Sequence, residues 1–203
     1  LLVGVGGLGS PIATYLVGAG IGRIGIIDDD VVDVTNLHRQ VLYTEKEAGQ
    51  PKVECAKRRL QALNSEVEID AYPYRLTKEN AHELISRYDI VVDGMDNFMT
   101  RYIVSDECKL QGKPYVYGAI RGLDGQVAVL CKGHTTYRSL LPDEEATLSM
   151  PHPGKAVLGT TPAVVGSVEA SQVLMLAAEF GEPLIDRLWT VDLSTMMSYV
   201  IEM

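Results

Sequence analysis

The sequence has 203 residues, a formal charge of −9, 46% hydrophobic residues and 22% charged residues. A chain of that length buries a sizeable core in one domain, its balance is that of a soluble globular protein, and its acidity argues against general nucleic-acid binding, which needs a basic surface. It contains no apolar run of about 18 residues and no signal peptide. Its three cysteines, Cys55, Cys108 and Cys131, have no CxxC spacing, so a membrane protein is not expected and a reducing, cytoplasmic setting is.

In chain order, Leu1–Val5 reads as an apolar strand ending at a glycine cluster, and Leu8–Ala19 carries apolar residues at helical spacing up to Gly20. Because the chain opens inside a strand, a further N-terminal segment is expected upstream. Ile24–Ile27 is a second strand running into Asp28-Asp29-Asp30. Pro51 opens a helix over Lys52–Leu63, Val67–Tyr72 is a strand, and Thr77 caps a helix to about Tyr88. Ile90–Asp93 is a buried-type strand and Asn97–Gln111 a helix. Tyr115–Ile120 and Gln126–Leu130 are strands joined by a turn at Gly122–Gly125. Lys132–Leu158 is polar, rich in Pro, Gly, Ser and Thr, and longer than an ordinary connection, which marks it as functional or mobile. Pro162 opens an apolar helix to about Phe180, read as core ahead of interface, and Leu188–Asp192 and Ser198–Ile201 are closing strands.

This alternation predicts a doubly wound, Rossmann-like α/β domain, parallel in its first half and mixed toward the C-terminus. The expected divisions are a nucleotide-binding core over 1–130, a crossover loop over 131–160, and a helix with strands over 161–203.

Gly4-Val5-Gly6-Gly7-Leu8-Gly9 stands between a strand and a helix, where a phosphate-binding turn belongs. Gly4 permits the tight turn, Gly6 lets a phosphate approach the backbone, and Gly9 lets the helix pack close to the strand. The helix N-terminus then offers free amides and the positive end of its dipole. The pattern alone fits NAD, FAD or ATP. Asp28 ends the second strand about 20 residues further on, where an acid accepts hydrogen bonds from ribose hydroxyls, and Asp29 and Asp30 compete for that role.

A dehydrogenase needs little beyond this fingerprint, yet a polar constellation follows. It comprises Asn36-Leu37-His38-Arg39-Gln40, then Gln50-Pro51-Lys52, then Asp93-Gly94-Met95-Asp96-Asn97, then Arg101. Strand C-termini in such sheets converge on one crevice, so Arg39 and Lys52 reach a triphosphate there, and Asp96 suits Mg²⁺, a hard cation that prefers oxygen ligands. Each residue also has a plain alternative: Arg39 as an exposed loop cation, Lys52 as a surface residue of a first turn, Asp96 as the cap of the helix starting at Asn97. Together they suit nucleotidyl transfer, which relies on positioning and charge stabilisation.

These segments, with the GAIRGLDGQVAVL stretch and the Gly159-Thr160-Thr161-Pro162 helix start, resemble the MoeB/ThiF/HesA family, relatives of ubiquitin-activating enzymes, over nearly the whole chain. The resemblance implies an ATP- and Mg²⁺-dependent adenylyltransferase. Such an enzyme attaches AMP to the C-terminal Gly-Gly carboxylate of a ubiquitin-like sulfur-carrier protein, for molybdopterin or thiamin synthesis, and acts as a homodimer. It implies catalytic roles for Arg39, Lys52 and Asp96, the last as the magnesium-associated acid. The nucleotide-binding set it implies is Gly4, Gly6, Gly7, Gly9, Asp28, Asp30, Asn36, Arg39, Lys52, Asp96 and Asn97. Arg101, in the family's DNxxxR motif, reads as mainly structural. A related enzyme acting on another carboxylate such as that of a modified tRNA nucleoside, an NAD-dependent oxidoreductase, and an ATP-binding scaffold without catalysis remain alternatives.

The sequence departs from that family where many members bind zinc through two CxxC pairs. Thr136 and Ser139 stand at the first pair, so no zinc site is expected, with His134 and His152 flanking as solvated residues. Lys132–Leu158 holds no cysteine for a covalent adduct; Ser149 is its nearest counterpart by position, and Cys131 lies at a strand end.

Overall fold

The computed structural model describes residues 1–150 and 157–203. Eight strands form one sheet in the order β3-β2-β1-β4-β5-β6-β7-β8. The strands are β1 (Leu2–Val3), β2 (Arg23–Ile27), β3 (Glu68–Tyr72), β4 (Val91–Asp93), β5 (Tyr115–Arg121), β6 (Asp124–Leu130), β7 (Arg187–Asp192) and β8 (Met197–Glu202). The first five run parallel, and β5 to β8 pair antiparallel. The expected change from parallel to mixed sheet therefore falls after β5. The hairpin there is tighter than expected: Arg121 pairs with Asp124, and Gly122 turns with φ +60°.

Alternate strand residues face opposite layers, as the two-residue pleat dictates. Leu2, Ile24, Ile26, Val92, Val116, Val127 and Val129 pack beneath three helices, α1 (Gly9–Gly18), α2 (Lys52–Leu63) and α7 (Thr160–Ala177). Leu1, Val3, Ile27, Val91, Tyr115, Tyr117 and Leu130 face α3 (Lys78–Ser86), α4 (Phe98–Gln111) and α5 (Tyr137–Leu140). Helix α7 packs its buried face, with Val165, Ala170 and Val173, into the first of these cores. It begins two residues before Pro162, because a proline in the first turn forfeits only an amide that has no partner there.

Residues 131–150, after β6, are more ordered than their composition suggests. They hold α5 and α6 (Glu144–Leu148), and Asp143 caps the latter by accepting from the Ala146 amide at 2.9 Å. These are short helices that only cap chemistry reveals, since they lack a periodic apolar stripe. Two 3₁₀ turns, Val34–Asn36 and Glu45–Glu47, likewise lie in the stretch between β2 and α2 that has no periodic signal.

Candidate active site

The chain crosses from β3 to β4 on the other side of β1, and such a switch point opens a crevice at the strand C-termini. A cavity of about 430 Å³ lies there. It is lined by the glycine loop, the acidic turn after β2, Asn36, Arg39 and Gln40, Lys52, the β3–α3 loop and the β4–α4 loop.

The glycine loop is braced on several sides. The Gly4 amide donates to the Ile27 carbonyl at 2.8 Å, the Val5 amide to Asp28 Oδ2 at 2.9 Å, and Tyr43 Oη to the Val5 carbonyl at 2.7 Å. Gly4 sits at φ +92°, open to glycine at little cost. A Cβ on Gly9 or on Gly94 would collide with the Gly4 carbonyl. Gly4, Gly6 and Gly7 line the cavity. Gly9 is not among its lining residues, and its contact with the Gly4 carbonyl is the close helix–strand packing expected of it.

Asp28, Asp29 and Asp30 place their carboxylates within 4.8 Å of one another, and each is engaged differently. Asp28 accepts from the Val5 amide and, through Oδ1, from the Asp30 amide at 2.9 Å. Burial pushes its carboxyl up, against the pull of Lys52 and those two amides. Asp29 pairs with Arg75 at 3.1 Å, and Asp30 with Lys52 Nζ at 2.8 Å. Lys52 is buried rather than a surface residue, and its amide also donates to the Asp30 carbonyl. Arg39 is held at both terminal guanidinium nitrogens: Nη2 donates to Asn36 Oδ1 and Nη1 to His38 Nε2, each at 2.8 Å. Since arginine only donates, that histidine nitrogen is the unprotonated one.

Across the cavity, Asn97 accepts from the Thr100 amide at 2.9 Å and so caps α4. The cap is Asn97, not Asp96. This occupies the Asn97 oxygen and leaves Asp96 exposed in the cavity wall, with no hydrogen bond or ion pair among the described residues. Tyr74, Arg75 and Leu76, from the β3–α3 loop, also line the cavity. Sequence reasoning missed them, although the rule that strand C-termini converge applies to β3 as it does to β2 and β4.

The model of the ThiF family matches residues 1–203. The chain belongs to the ThiF family. It is 49% identical over 201 residues to the sulfur carrier protein adenylyltransferase of Thermus thermophilus, covering 95% of this chain and 73% of that protein. It is 43% identical over 203 residues to the adenylyltransferase and sulfurtransferase MOCS3 of Arabidopsis thaliana, covering 98% of this chain but only 44% of that one. A crystal structure of E. coli MccB with ATP matches with a TM-score of 0.84 at 25% identity, covering 100% of this chain and 62% of MccB.

In this ThiF-family chain the corner after β6 has, among the described residues, no donor set that suits zinc. Thr136 Oγ1 and Ser139 Oγ lie 3.1 Å apart and hydrogen-bond each other as a cap on α5, and hydroxyls are not structural zinc ligands. His134 is not merely solvated, because its Nδ1 lies 2.6 Å from Asp186 Oδ2. His152 lies outside the described residues. Burial and Asp186 push the Cys131 thiol up, away from the thiolate. Ser149 Oγ donates to the Glu145 carbonyl at 2.8 Å.

Arg101 is structural, as its motif position implies. Buried, it donates Nε to Asp93 Oδ2 at 2.8 Å and Nη2 to the carbonyls of Met95 at 2.9 Å and Gly118 at 3.0 Å. Next to this pair, Glu169 of α7 is 0% exposed, and neither carboxyl oxygen has a partner among the described residues. Burial, with Asp93 adding to it, pushes the Glu169 carboxyl well above the usual range. The folded protein therefore holds it protonated, whereas the unfolded chain ionises it near pH 4.3. Stability is fully present below that pH and is lost as pH rises toward the folded-state value. Glu169→Gln is expected to match the parent in thermal melts at pH 4 and to gain on the order of 1–3 kcal/mol at pH 8. A difference that does not widen with pH would remove the buried-acid account.

Proposed function

We infer that this chain is the adenylation domain of an enzyme that transfers AMP from ATP to the C-terminal Gly-Gly carboxylate of a ubiquitin-like sulfur carrier. The observation that carries this reading is one cavity that gathers a glycine loop, Arg39, Lys52 and Asp96, an acid without a partner among the described residues. The relatives named sulfur carrier protein adenylyltransferase and MOCS3 support the substrate class.

In this reading the loop amides at Gly6 and Gly7 receive phosphate oxygens, and Asp28 receives the ribose. Lys52, stored against Asp30, turns to the phosphates when they enter and is then balanced by their charge. Arg39 arrives already oriented by Asn36 and His38, so little ordering entropy is spent as charge develops on the transferred group. Asp96 fits Mg²⁺ better than the acidic turn does, because Asp29 and Asp30 are already paired with cations. Mg²⁺ bound with the nucleotide supplies charge neutralisation at the phosphates.

The reading takes 1–203 as one domain and the assembly as a cytoplasmic homodimer. Three unpaired thiols are in keeping with a reducing compartment, and α7 leaves Val164 exposed for a partner. No helix among the described residues is long and apolar enough to cross a membrane.

ATP–pyrophosphate exchange by the full-length protein, with Mg²⁺ and a panel of Gly-Gly carriers, tests the reading. Exchange that depends on one carrier is expected. ATP binding with no exchange for any carrier would rule the carrier substrate out.

A further inference from the structure

Gln40 is 5% exposed and lines the nucleotide cavity. Its carboxamide oxygen, Oε1, is buried without a hydrogen bond among the described residues. Three groups share that condition, Gln40, Glu169 and the Tyr137 hydroxyl, and Gln40 alone among them lines the cavity. The other end of the amide, Nε2, likewise has no hydrogen bond among the described residues, and an amide buried without partners costs free energy, so it marks either a strained position or a group kept for a ligand.

The geometry says which. The amide nitrogen Nε2 lies 3.2 Å from where a Cβ on Gly6 would stand, so the carboxamide is laid against the glycine loop. Its neighbour in sequence is Arg39, whose aliphatic Cδ lies 3.6 Å from the corresponding point on Gly7. The backbone holds Gln40 there through its own amide, which donates to the Asn36 carbonyl at 3.0 Å, and through its carbonyl, which accepts from the Tyr43 amide at 3.2 Å. The side chain is thus placed by a hydrogen-bonded turn, at the end of the cavity where the loop amides and a guanidinium converge. A carboxamide NH₂ supplies two donors there and carries no charge of its own.

We propose that Gln40 donates a hydrogen bond from its side-chain NH₂ to a phosphate oxygen of the bound nucleotide, making it a further substrate-binding residue of the adenylation site. This rests on the cavity's being a nucleotide site, as proposed above. The charged acceptor makes the bond worth more than a neutral one, and the buried position keeps water from replacing it. The unpaired Oε1 costs stability with or without nucleotide, because a phosphate has no donor to offer it; what the ligand supplies is an acceptor for the NH₂.

The test uses the full-length protein and three variants of one position. Gln40→Met keeps the length of the side chain and removes its polar end. Gln40→Glu keeps the shape and places a negative charge against the phosphates. Gln40→Asn keeps the donor but withdraws it by one methylene. Isothermal calorimetry measures Mg-ATP and adenosine, and thermal melts are run without nucleotide.

The expected result is a loss of Mg-ATP affinity of roughly 10- to 100-fold in Gln40→Met, with adenosine affinity unchanged. Gln40→Glu loses more, Gln40→Asn falls between, and the nucleotide-free melting temperature of Gln40→Met rises. Unchanged Mg-ATP affinity in Gln40→Met overturns the proposal. So does an equal loss for adenosine, which would mean a collapsed pocket, or an effect confined to the carrier's KM in pyrophosphate exchange, which would move the contact to the carrier carboxylate. Failure of the carrier reading shows separately, as wild-type protein that binds Mg-ATP normally yet exchanges with no carrier.

Discussion

Replacing Asp96 with alanine is expected to abolish carrier adenylation while leaving the protein folded. The two halves of that result have separate causes. The side chain is exposed and makes no hydrogen bond or ion pair among the described residues, so its removal forfeits no contact that holds the fold. The α4 cap, which a deletion here would otherwise threaten, belongs to Asn97. Thermal unfolding of Asp96→Ala should therefore fall within about 0.5 kcal/mol of the parent.

Catalysis is another matter. Asp96 has no ion pair or hydrogen bond among the described residues, whereas Lys52 faces Asp30, Arg75 faces Asp29, and Asp28 is taken up by two backbone amides. If it holds Mg²⁺ against the phosphates, alanine removes charge stabilisation that is needed most as pyrophosphate departs, and a loss of about 10²–10³ in kcat is the minimum expected. Pyrophosphate exchange over a series of Mg²⁺ concentrations checks it. Normal exchange in Asp96→Ala at ordinary Mg²⁺ would take this residue out of the mechanism and return attention to Asp28, Asp29 and Asp30 as the metal's acids.

The order of elements was legible because it rests on periodic signals. A two-residue apolar alternation cannot be mistaken for a 3.6-residue one over segments such as Lys52–Leu63 or Tyr115–Leu130, and glycine at Gly4 and Gly9 punctuates where the backbone must pass close. The cavity was legible for the same reason, since strand ends converge wherever the order reverses. What the sequence could not convey was partnership. Whether Lys52 is exposed or buried against Asp30 and whether Gln40 has a partner are settled by how segments far apart in the chain meet, and whether Asn97 or Asp96 caps α4 by a backbone turn that places the Asn97 oxygen on the Thr100 amide. Arg75 was hidden for a related reason: its place at the cavity depends on the loop after β3 folding back over the acidic turn, to which it is tied through Asp29. The short helices α5 and α6 went unseen because each depends on its cap rather than on a stripe of apolar residues.

Truncating Arg101 to alanine is expected to cost about 3–5 kcal/mol of stability. The argument turns on what is left behind. Asp93 is 0% exposed, and it accepts from Arg101, from the Tyr115 hydroxyl at 2.7 Å and from the Met95 amide at 2.9 Å. Without the guanidinium, a carboxylate remains in the core with neutral donors alone, and the carbonyls of Met95 and Gly118 lose their shared donor. Removing both charges together, as Arg101→Met with Asp93→Asn, should cost less than the two single changes added, because neither partner is then stranded. Denaturant unfolding of the four proteins in that cycle measures the coupling. A coupling near zero would mean that the pair contributes only through packing. The same cycle bears on catalysis, since Arg101 holds the carbonyl of Met95, the residue next to Asp96. Loss of exchange activity in variants that remain folded would show that this strut also sets where the candidate metal acid points.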